Sequence, residues 1–245
     1  MSFKAGTLLY EGKAKKIFSV QDRDDCLWLE FKNSLTAFNA QKKGQFSGKG
    51  QINRDIASAI FRYLQNQGIH THWVADVGDI YMVCRKVEIV PLEVVIRNRL
   101  AGSTAKKFNI EEGLLLDRPL LEFYYKNDEL GDPFISDEQA LILGFVKNQK
   151  ILDQIKKVAL AINQQLLNFF AKIGIDLVDF KMEFGLTGQG EILLADEISP
   201  DSCRLWDAKT QEKLDKDRFR RDLGKVEDSY LEVLNRIKNV WGDKI

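Results

Sequence analysis

Asp179, Lys181 and Glu183 occupy every second position of LVDFKMEFG (residues 177–185), with Phe180, Met182 and Phe184 between them. Such alternation is a strand with one charged and one apolar face. Carboxylates beside an ammonium can hold a hard cation and order phosphates around it, or they can form a solvated, salt-bridged sheet face. An apolar strand resumes at residues 191–196, and Thr187-Gly188-Gln189-Gly190 supplies the glycines of a tight reversal. Symmetric closure opposes Thr187 to Gly190, which pairs Glu183 with Leu194 and Lys181 with Asp196. Asp196 then joins the charged face, its Cα lying diagonally about 7 to 8 Å from that of Glu183. Two carboxylates at that spacing can share one divalent cation.

Two other stretches are suited to anions. In Glu11-Gly12-Lys13-Ala14-Lys15 a glycine precedes two lysines between short strands, so backbone N–H groups and ammonium charge can fold over a polyphosphate. The alternative is a charged surface hairpin. In Arg97-Asn98-Arg99-Leu100-Ala101-Gly102-Ser103-Thr104 two arginines lead into small residues and a helix start, a design that suits a phosphate monoester as well as a capped helix. Residues 44–50 do not form a Walker A loop, because only three residues separate the first two glycines and no Ser or Thr follows Lys49. His70 and His72 share a strand face, but no Cys or carboxylate stands at ligand spacing beside them, so no metal pair is assigned.

The elements that must position these groups follow from periodicity and punctuation. Residues 8–10, 16–20 and 26–31 read as a β-meander. Residues 34–50 are polar and aperiodic, which predicts a mobile loop. Asn53 is placed to cap a helix carrying Ile56, Ile60, Tyr63 and Leu64 and ended by Gly68. A strand at 80–90 is interrupted by Pro91 before 92–96 continues extended, and a domain boundary is placed there, dividing 1–88 from 89–245. Residues 120–132 form a strand running into a polar loop. Asn148 caps a helix with Ile151, Ile155, Val158, Ile162, Leu166, Phe169 and Ile173 on one face and Gly174 as its stop. Residues 199–204 read as a loop, 215–222 as a solvated helical turn, and 226–241 as an amphipathic helix.

The 245 residues, 44% hydrophobic, suffice for one large domain or two small ones. Acidic and basic residues balance at 36 each, which argues against a nucleic-acid binder or an acidic tail. Cys26, Cys84 and Cys203 are scattered and suit free thiols in a reducing compartment. Neither a long apolar run nor a signal-peptide core is present, so a soluble cytoplasmic protein without a membrane partner is expected.

IVPLEVVIRNRLAGS (89–103) and LVDFKMEFG, with LYEGKAKKIF, YYKNDELGDP, ADEISPDSCRLWD and DKDRFRRDLG in order along the chain, resemble the SAICAR synthetase family. The resemblance implies an α+β, two-part ATP-binding fold akin to protein kinases and ATP-grasp enzymes. A small antiparallel sheet domain would cover the nucleotide and a larger α+β domain would carry the acceptor. It implies a ligase that phosphorylates the carboxylate of carboxyaminoimidazole ribotide with ATP and then joins L-aspartate to it. Lys13, Asp179, Lys181, Glu183 and Asp196 would be the catalytic set, with Mg²⁺ on Glu183 and Asp196. Gly12, Lys13 and Lys15 would cover the phosphates; Lys86, Val87, Glu88 and Ile89 would meet the adenine; Ile17, Val83 and Met182 would be its walls. Arg97, Ser103 and Arg204 would grip the ribotide phosphate, and Asp179 its amino or hydroxyl groups. Lys126, Asp132, Asp201 and Arg218 would recognise aspartate or close the site. A homodimer is also implied. The charged hairpin and glycine loop would also serve a kinase-like phosphotransferase acting on a hydroxyl, but the anion sites at Arg97 to Ser103 and at Arg204 favour the ligase; a non-catalytic nucleotide sensor would keep the glycine loop without needing the paired carboxylates.

Overall fold

In the computed structural model, which describes residues 3–37 and 41–242, two antiparallel sheets are built around one shared core. The first sheet has the order β1-β2-β3-β7-β6, from β1 (Ala5–Glu11), β2 (Lys15–Val20), β3 (Cys26–Phe31), β6 (Trp73–Val77) and β7 (Tyr81–Arg85). A separate hairpin, β4 (Ser34–Ala37) and β5 (Lys42–Gln45), and helix α1 (Lys49–Asn66) lie between β3 and β6 in the chain. The second sheet has the order β10-β9-β8-β11-β12, with β13 also paired to β11. Its strands are β8 (Glu88–Arg99), β9 (Leu115–Tyr125), β10 (Phe134–Ile135), β11 (Ile175–Leu186), β12 (Ile192–Ala195) and β13 (Cys203–Asp207). Helices α2 (Gly102–Phe108), α3 (Asp137–Ile142), α4 (Gln149–Lys172), α5 (Asp217–Arg220) and α6 (Val226–Trp241) complete an α+β architecture.

The change of sheet falls at residues 86–87, yet the apolar core runs across it. Leu29 and Phe31 of β3 pack in the same cluster as Val94 and Ile96 of β8, Phe180 and Phe184 of β11, and the inner faces of α1 and α4. The stripe of α4 accounts for its place: Leu152, Ile155, Ile162, Leu166 and Phe169 are buried at helical spacing. Asn148 caps it, its Oδ1 accepting from the Ile151 N–H at 3.0 Å.

Several local readings change. The stretch 34–50 is a β-hairpin leading into a helix, with residues 38–40 outside the described residues. Its polarity misleads because docking holds it: the Lys42 ammonium donates to the Phe219 carbonyl and to Asp222, both at 2.6 Å. Gly44 packs so closely on Phe219 that a Cβ would lie 2.9 Å from the ring. Helix α1 starts a turn earlier than Asn53, with Gly48 as N-cap, and Asn53 is buried inside it. Pro91 sits within β8, next to a shift in the β8–β11 register that removes the need for a ladder N–H. Residues 203–207 are a strand. The segment 215–222 is not solvated, since Asp215 and Asp217 are buried.

The central hairpin is displaced by one residue from symmetric closure. Glu183 opposes Ala195, Phe184 opposes Leu194 and Leu186 opposes Ile192. Thr187 N–H bonds to the Glu191 carbonyl at 2.9 Å, so the loop is 188–190, and Gly190 closes it with a φ of 80°. A three-residue loop ending on a left-handed glycine is a favoured hairpin connection.

Candidate active site

The polar face of β11 forms the floor of a cleft of about 750 Å³ that lies between the two sheets. Asp179, Lys181 and Glu183 all reach it, as alternation requires. Asp196 reaches it by another route. One position past Ala195, a regular strand would turn its side chain to the Met182 face, but its φ of 59° re-aims it.

At one end of the cleft, ammonium groups from two strands and a loop face four carboxylates. Lys181 Nζ lies 2.9 Å from Glu93, 2.8 Å from Glu183 and 3.6 Å from Asp196. Lys126 Nζ lies 2.6 Å from Glu183, and Lys15 pairs with Asp196 and lies 3.7 Å from Glu197. Burial opposes the charge on Lys15, but Asp196 and Glu197 outweigh it and hold the ammonium above its ordinary range. Burial likewise opposes the Asp196 carboxylate, and Lys15 and Lys181 outweigh it, so Asp196 stays ionised. Glu197 is pushed up by burial, and its Oε2 is buried without a hydrogen-bond partner. Behind this cluster, burial and then Lys15 push His72 down to about 4, leaving a neutral imidazole.

A single ammonium touching Glu183 and Asp196 shows that one cation can bridge them. No group of three or more metal-ligating side chains converges among the described residues. Two carboxylates with room for phosphate oxygens suit Mg²⁺, which keeps most of its coordination for water and substrate.

At the other end guanidinium groups dominate. Arg97 is buried, donating through Nε to Glu122 at 2.7 Å and through Nη1 to Asp179 at 2.5 Å. Arg204 donates to the same Asp179 at 2.8 Å and to Asp217 at 2.9 Å. Burial raises the Asp217 pKa, but Arg204 and Arg220 outweigh that and bring it to about 2. Ser103 lines this end at the start of α2, and Gly102 lies against the Arg204 guanidinium.

The roof is the β1–β2 turn, closed by Gly12 N–H to the Lys15 carbonyl at 2.8 Å. Lys13 spans the cleft to Asp128 at 2.8 Å, and Ser34 Oγ donates to the Lys13 carbonyl at 2.7 Å. Ile17, Leu27, Leu29, Cys84, Val87 and Ile89 supply an apolar wall beside it.

Gly12, Lys13, Lys15, Ile17, Val87, Ile89, Arg97, Ser103, Lys126, Asp132, Asp179, Lys181, Glu183, Asp196, Asp201 and Arg204 therefore line one cleft. Five of the sequence-derived residues do not line it with their side chains. Val83 faces the other side of its sheet, packed with Val20 and Trp28, and Cys84 takes the cleft position. Met182 is in the main core. Glu88 turns to Lys147 at 3.4 Å, and Arg218 braces its own loop through the Gly224 and Lys213 carbonyls. The Lys86 side chain is exposed as well, and its N–H is taken by the Asp25 carbonyl at 2.7 Å. Asp132 closes its own loop on the Asn127 N–H, and Asp201 is engaged by Lys49, Asn53 and Tyr230.

Glu93, Glu197, Lys216 and Arg220 line the cleft without having been picked out. Glu93 shares strand parity with Val95 and Arg97 and lies across from Glu183, a relation that alternation in EVVIR could have shown. Lys216 and Arg220 are four apart on one helical face, from which Arg218 points away.

Residues 8–237 match the SAICAR synthetase family model. The chain is 52% identical over 231 residues to the phosphoribosylaminoimidazole-succinocarboxamide synthase of Halalkalibacterium halodurans, covering 94% of this chain and 97% of that one. A solved SAICAR synthetase in complex with ADP superposes with a TM-score of 0.90 at 46% identity, covering 94% of this chain and 97% of the other. The phosphoribosylaminoimidazole-succinocarboxamide synthase of Ehrlichia chaffeensis superposes with a TM-score of 0.92 at 43% identity, with 96% and 99% covered. With the match running over nearly its whole length, this chain belongs to the SAICAR synthetase family.

Proposed function

We propose that this protein is the ATP-dependent ligase that joins L-aspartate to the carboxylate of carboxyaminoimidazole ribotide, giving SAICAR, ADP and phosphate in purine biosynthesis. What carries this reading is the two-ended cleft: one strand presents Lys181 and Glu183 to a cation-binding end and Asp179 to a guanidinium end. A nucleotide and a second phosphorylated substrate can then meet over β11. The carboxylate of the ribotide resists amine attack because oxide is a poor leaving group, and phosphorylation by ATP converts it into an acyl phosphate. That step needs positioning and charge neutralisation above all.

The apolar wall formed by Ile17, Val87 and Ile89 takes the adenine, and the backbone of residues 86–89 reads its edge. Gly12 and Lys13 cover the phosphates, with Lys15 beneath them. Glu183 and Asp196 hold Mg²⁺, which when bound supplies Lewis-acid neutralisation of the phosphate charge. Arg97, Ser103 and Arg204 grip the ribotide phosphate, bidentate guanidinium geometry favouring that anion. Asp179 orients both arginines and meets the ribotide hydroxyls. Lys181 faces the acceptor carboxylate. Lys126, with Lys216 and Arg220 from the α5 segment, offers cations to the two carboxylates of aspartate. The enzyme works in the cytoplasm, as a homodimer.

ADP release, measured with ribotide and aspartate supplied separately and together, tests the reading. Turnover is expected only with both and with Mg²⁺, and Asp196→Asn should abolish it while the circular dichroism spectrum is retained. Near wild-type rates for that variant would remove Asp196 from the metal site. A phosphorylated product that persists in the presence of aspartate would point instead to a phosphotransferase.

A further inference from the structure

The left-handed backbone at Asp196 needs something to hold it. An aspartate tolerates this region at some cost, but nothing in the strand itself selects it, and strand alternation alone would send the carboxylate to the Met182 face. The surroundings converge on His72. Its N–H donates to the Leu194 carbonyl at 2.8 Å, and its own carbonyl accepts from Arg85 N–H at 2.6 Å. His72 is thereby sewn to β12 on one side and to the end of β7 on the other. Its Nε2 lies 3.1 Å from the Asp196 carbonyl oxygen. A carbonyl only accepts, so Nε2 carries the proton and the ring is the Nε2–H tautomer. Phe61 packs edge-on against the imidazole at 5.3 Å, and Cys84 Sγ sits 3.5 Å from Nε2, fixing the plane of the ring.

We propose that His72 is a positioning residue for Asp196: its Nε2–H holds the Asp196 carbonyl, and with it the backbone turn that aims the carboxylate at the cation. This rests on the reading of Asp196 as a cation ligand. His72 never touches substrate in this scheme; it acts on the reaction through the direction of one carboxylate.

Glutamine and asparagine separate this role from simple packing. The amide nitrogen of Gln reaches the place of Nε2, whereas that of Asn reaches only the place of Nδ1. Protein-bound Mn²⁺ in the presence of ADP is followed by water-proton relaxation, alongside kcat, the ribotide KM and the thermal midpoint. His72→Asn should weaken Mn²⁺ binding and lower kcat by about tenfold or more, with the ribotide KM within about threefold; His72→Gln should stay within about threefold of wild type on all counts. Equal behaviour of the two variants, or wild-type Mn²⁺ binding by His72→Asn, would overturn the proposal. A measurement on the unsubstituted protein decides the matter even if a variant does not fold. Long-range ¹H–¹⁵N spectra should show His72 as the Nε2–H tautomer, and an Nδ1–H tautomer would refute it. Asp196→Asn is the control for the underlying reading: retained Mn²⁺ binding there would sink the metal assignment itself, while its loss together with normal binding by His72→Asn would sink only the role of His72.

Discussion

Gly102→Ala is a one-carbon probe of the guanidinium end of the site. Gly102 has a φ of 61°, and a Cβ on it would lie 2.3 Å from Arg204 Nη2 and 2.6 Å from Cζ, where ordinary contact begins at 3.4 Å. Either Arg204 or the start of α2 must therefore shift by about 1 Å. Arg204 is clamped by Asp179 at 2.8 Å and by Asp217 at 2.9 Å, so a shift of that size takes both bonds close to 4 Å, outside hydrogen-bond range. Two charge-assisted bonds at about 1.5–3 kcal/mol each put the loss at roughly 3–6 kcal/mol if Arg204 yields. If α2 yields instead, the cost of the left-handed alanine is about 1–2 kcal/mol, and Ser103 moves with the helix. Even about 2 kcal/mol expressed in binding is roughly a thirtyfold change. The ribotide KM from ADP-release kinetics should rise about thirtyfold or more, with the ATP KM within about twofold, because the nucleotide end shares no bond with Arg204. A ribotide KM within about threefold of wild type, in a variant that folds, would refute the placement of Arg204 in the acceptor site.

Two other outcomes test the electrostatics and the packing. Met182→Ala should destabilise the protein by about 2–5 kcal/mol in urea unfolding while leaving the ATP KM unchanged, because Met182 is core. A raised ATP KM at unchanged stability would return Met182 to the nucleotide wall. Asp217 has a folded pKa of about 2, below the unfolded value of about 3.9, so its stabilising contribution is present above pH 4 and lost as pH falls towards 2. The size is about 2–3 kcal/mol. Urea midpoints between pH 5 and pH 2.5 should fall more steeply for wild type than for Asp217→Asn, and parallel curves would exclude the pair with Arg204 as the cause.

What local pattern decides was legible, and what tertiary contact decides was not. The 3.6-residue stripe of α4 and its Asn148 cap are local physics, and both stand in the structure. The hairpin at 34–45 was hidden because its strands gain their stability from Lys42 and Phe219, residues 177 positions apart. For the same reason 215–222 looked solvated: nothing within that segment says that Asp217 will meet Arg204. Parity failed in one place only. It correctly put Asp179, Lys181 and Glu183 on one face, yet the register argument that added Asp196 was wrong by one residue. The carboxylate reached the same face because two deviations cancel, a three-residue loop that shifts the register and a left-handed residue that turns the side chain back. Neither deviation has a signal in alternation, and Asp196 is not the glycine that a left-handed position would normally advertise.

Charge balance accounts for the silence of composition about this site. The whole chain carries equal acidic and basic charge, and the cleft nearly repeats that balance, with many of its charges met by partners from distant elements. At the carboxylate-rich end three ammonium groups, Lys15, Lys126 and Lys181, face four carboxylates, Glu93, Glu183, Asp196 and Glu197. With all four ionised the excess is one negative charge, held in a partly dehydrated cleft where like charges are costly, and the upward push of burial on Glu197 reflects that cost. A divalent cation held between Glu183 and Asp196 would relieve that excess. The guanidinium end is arranged differently: Arg97 and Arg204 both turn to Asp179, while Glu122 and Asp217 hold their Nε sides, so three carboxylates fix two forks. The same strand that separates these ends by four residues, from Asp179 to Glu183, would on the proposed reading also set the distance between the phosphate of one substrate and the cation on the other. An extended strand rises about 3.4 Å per residue, so the two centres stand about 13–14 Å apart. On the proposed reading that spacing suits an extended ribotide lying along β11 with its ring carboxylate directed at the cation; a slip in the register of β11 would leave it unchanged but would move Asp179 away from Arg97 and Glu183 away from Glu93.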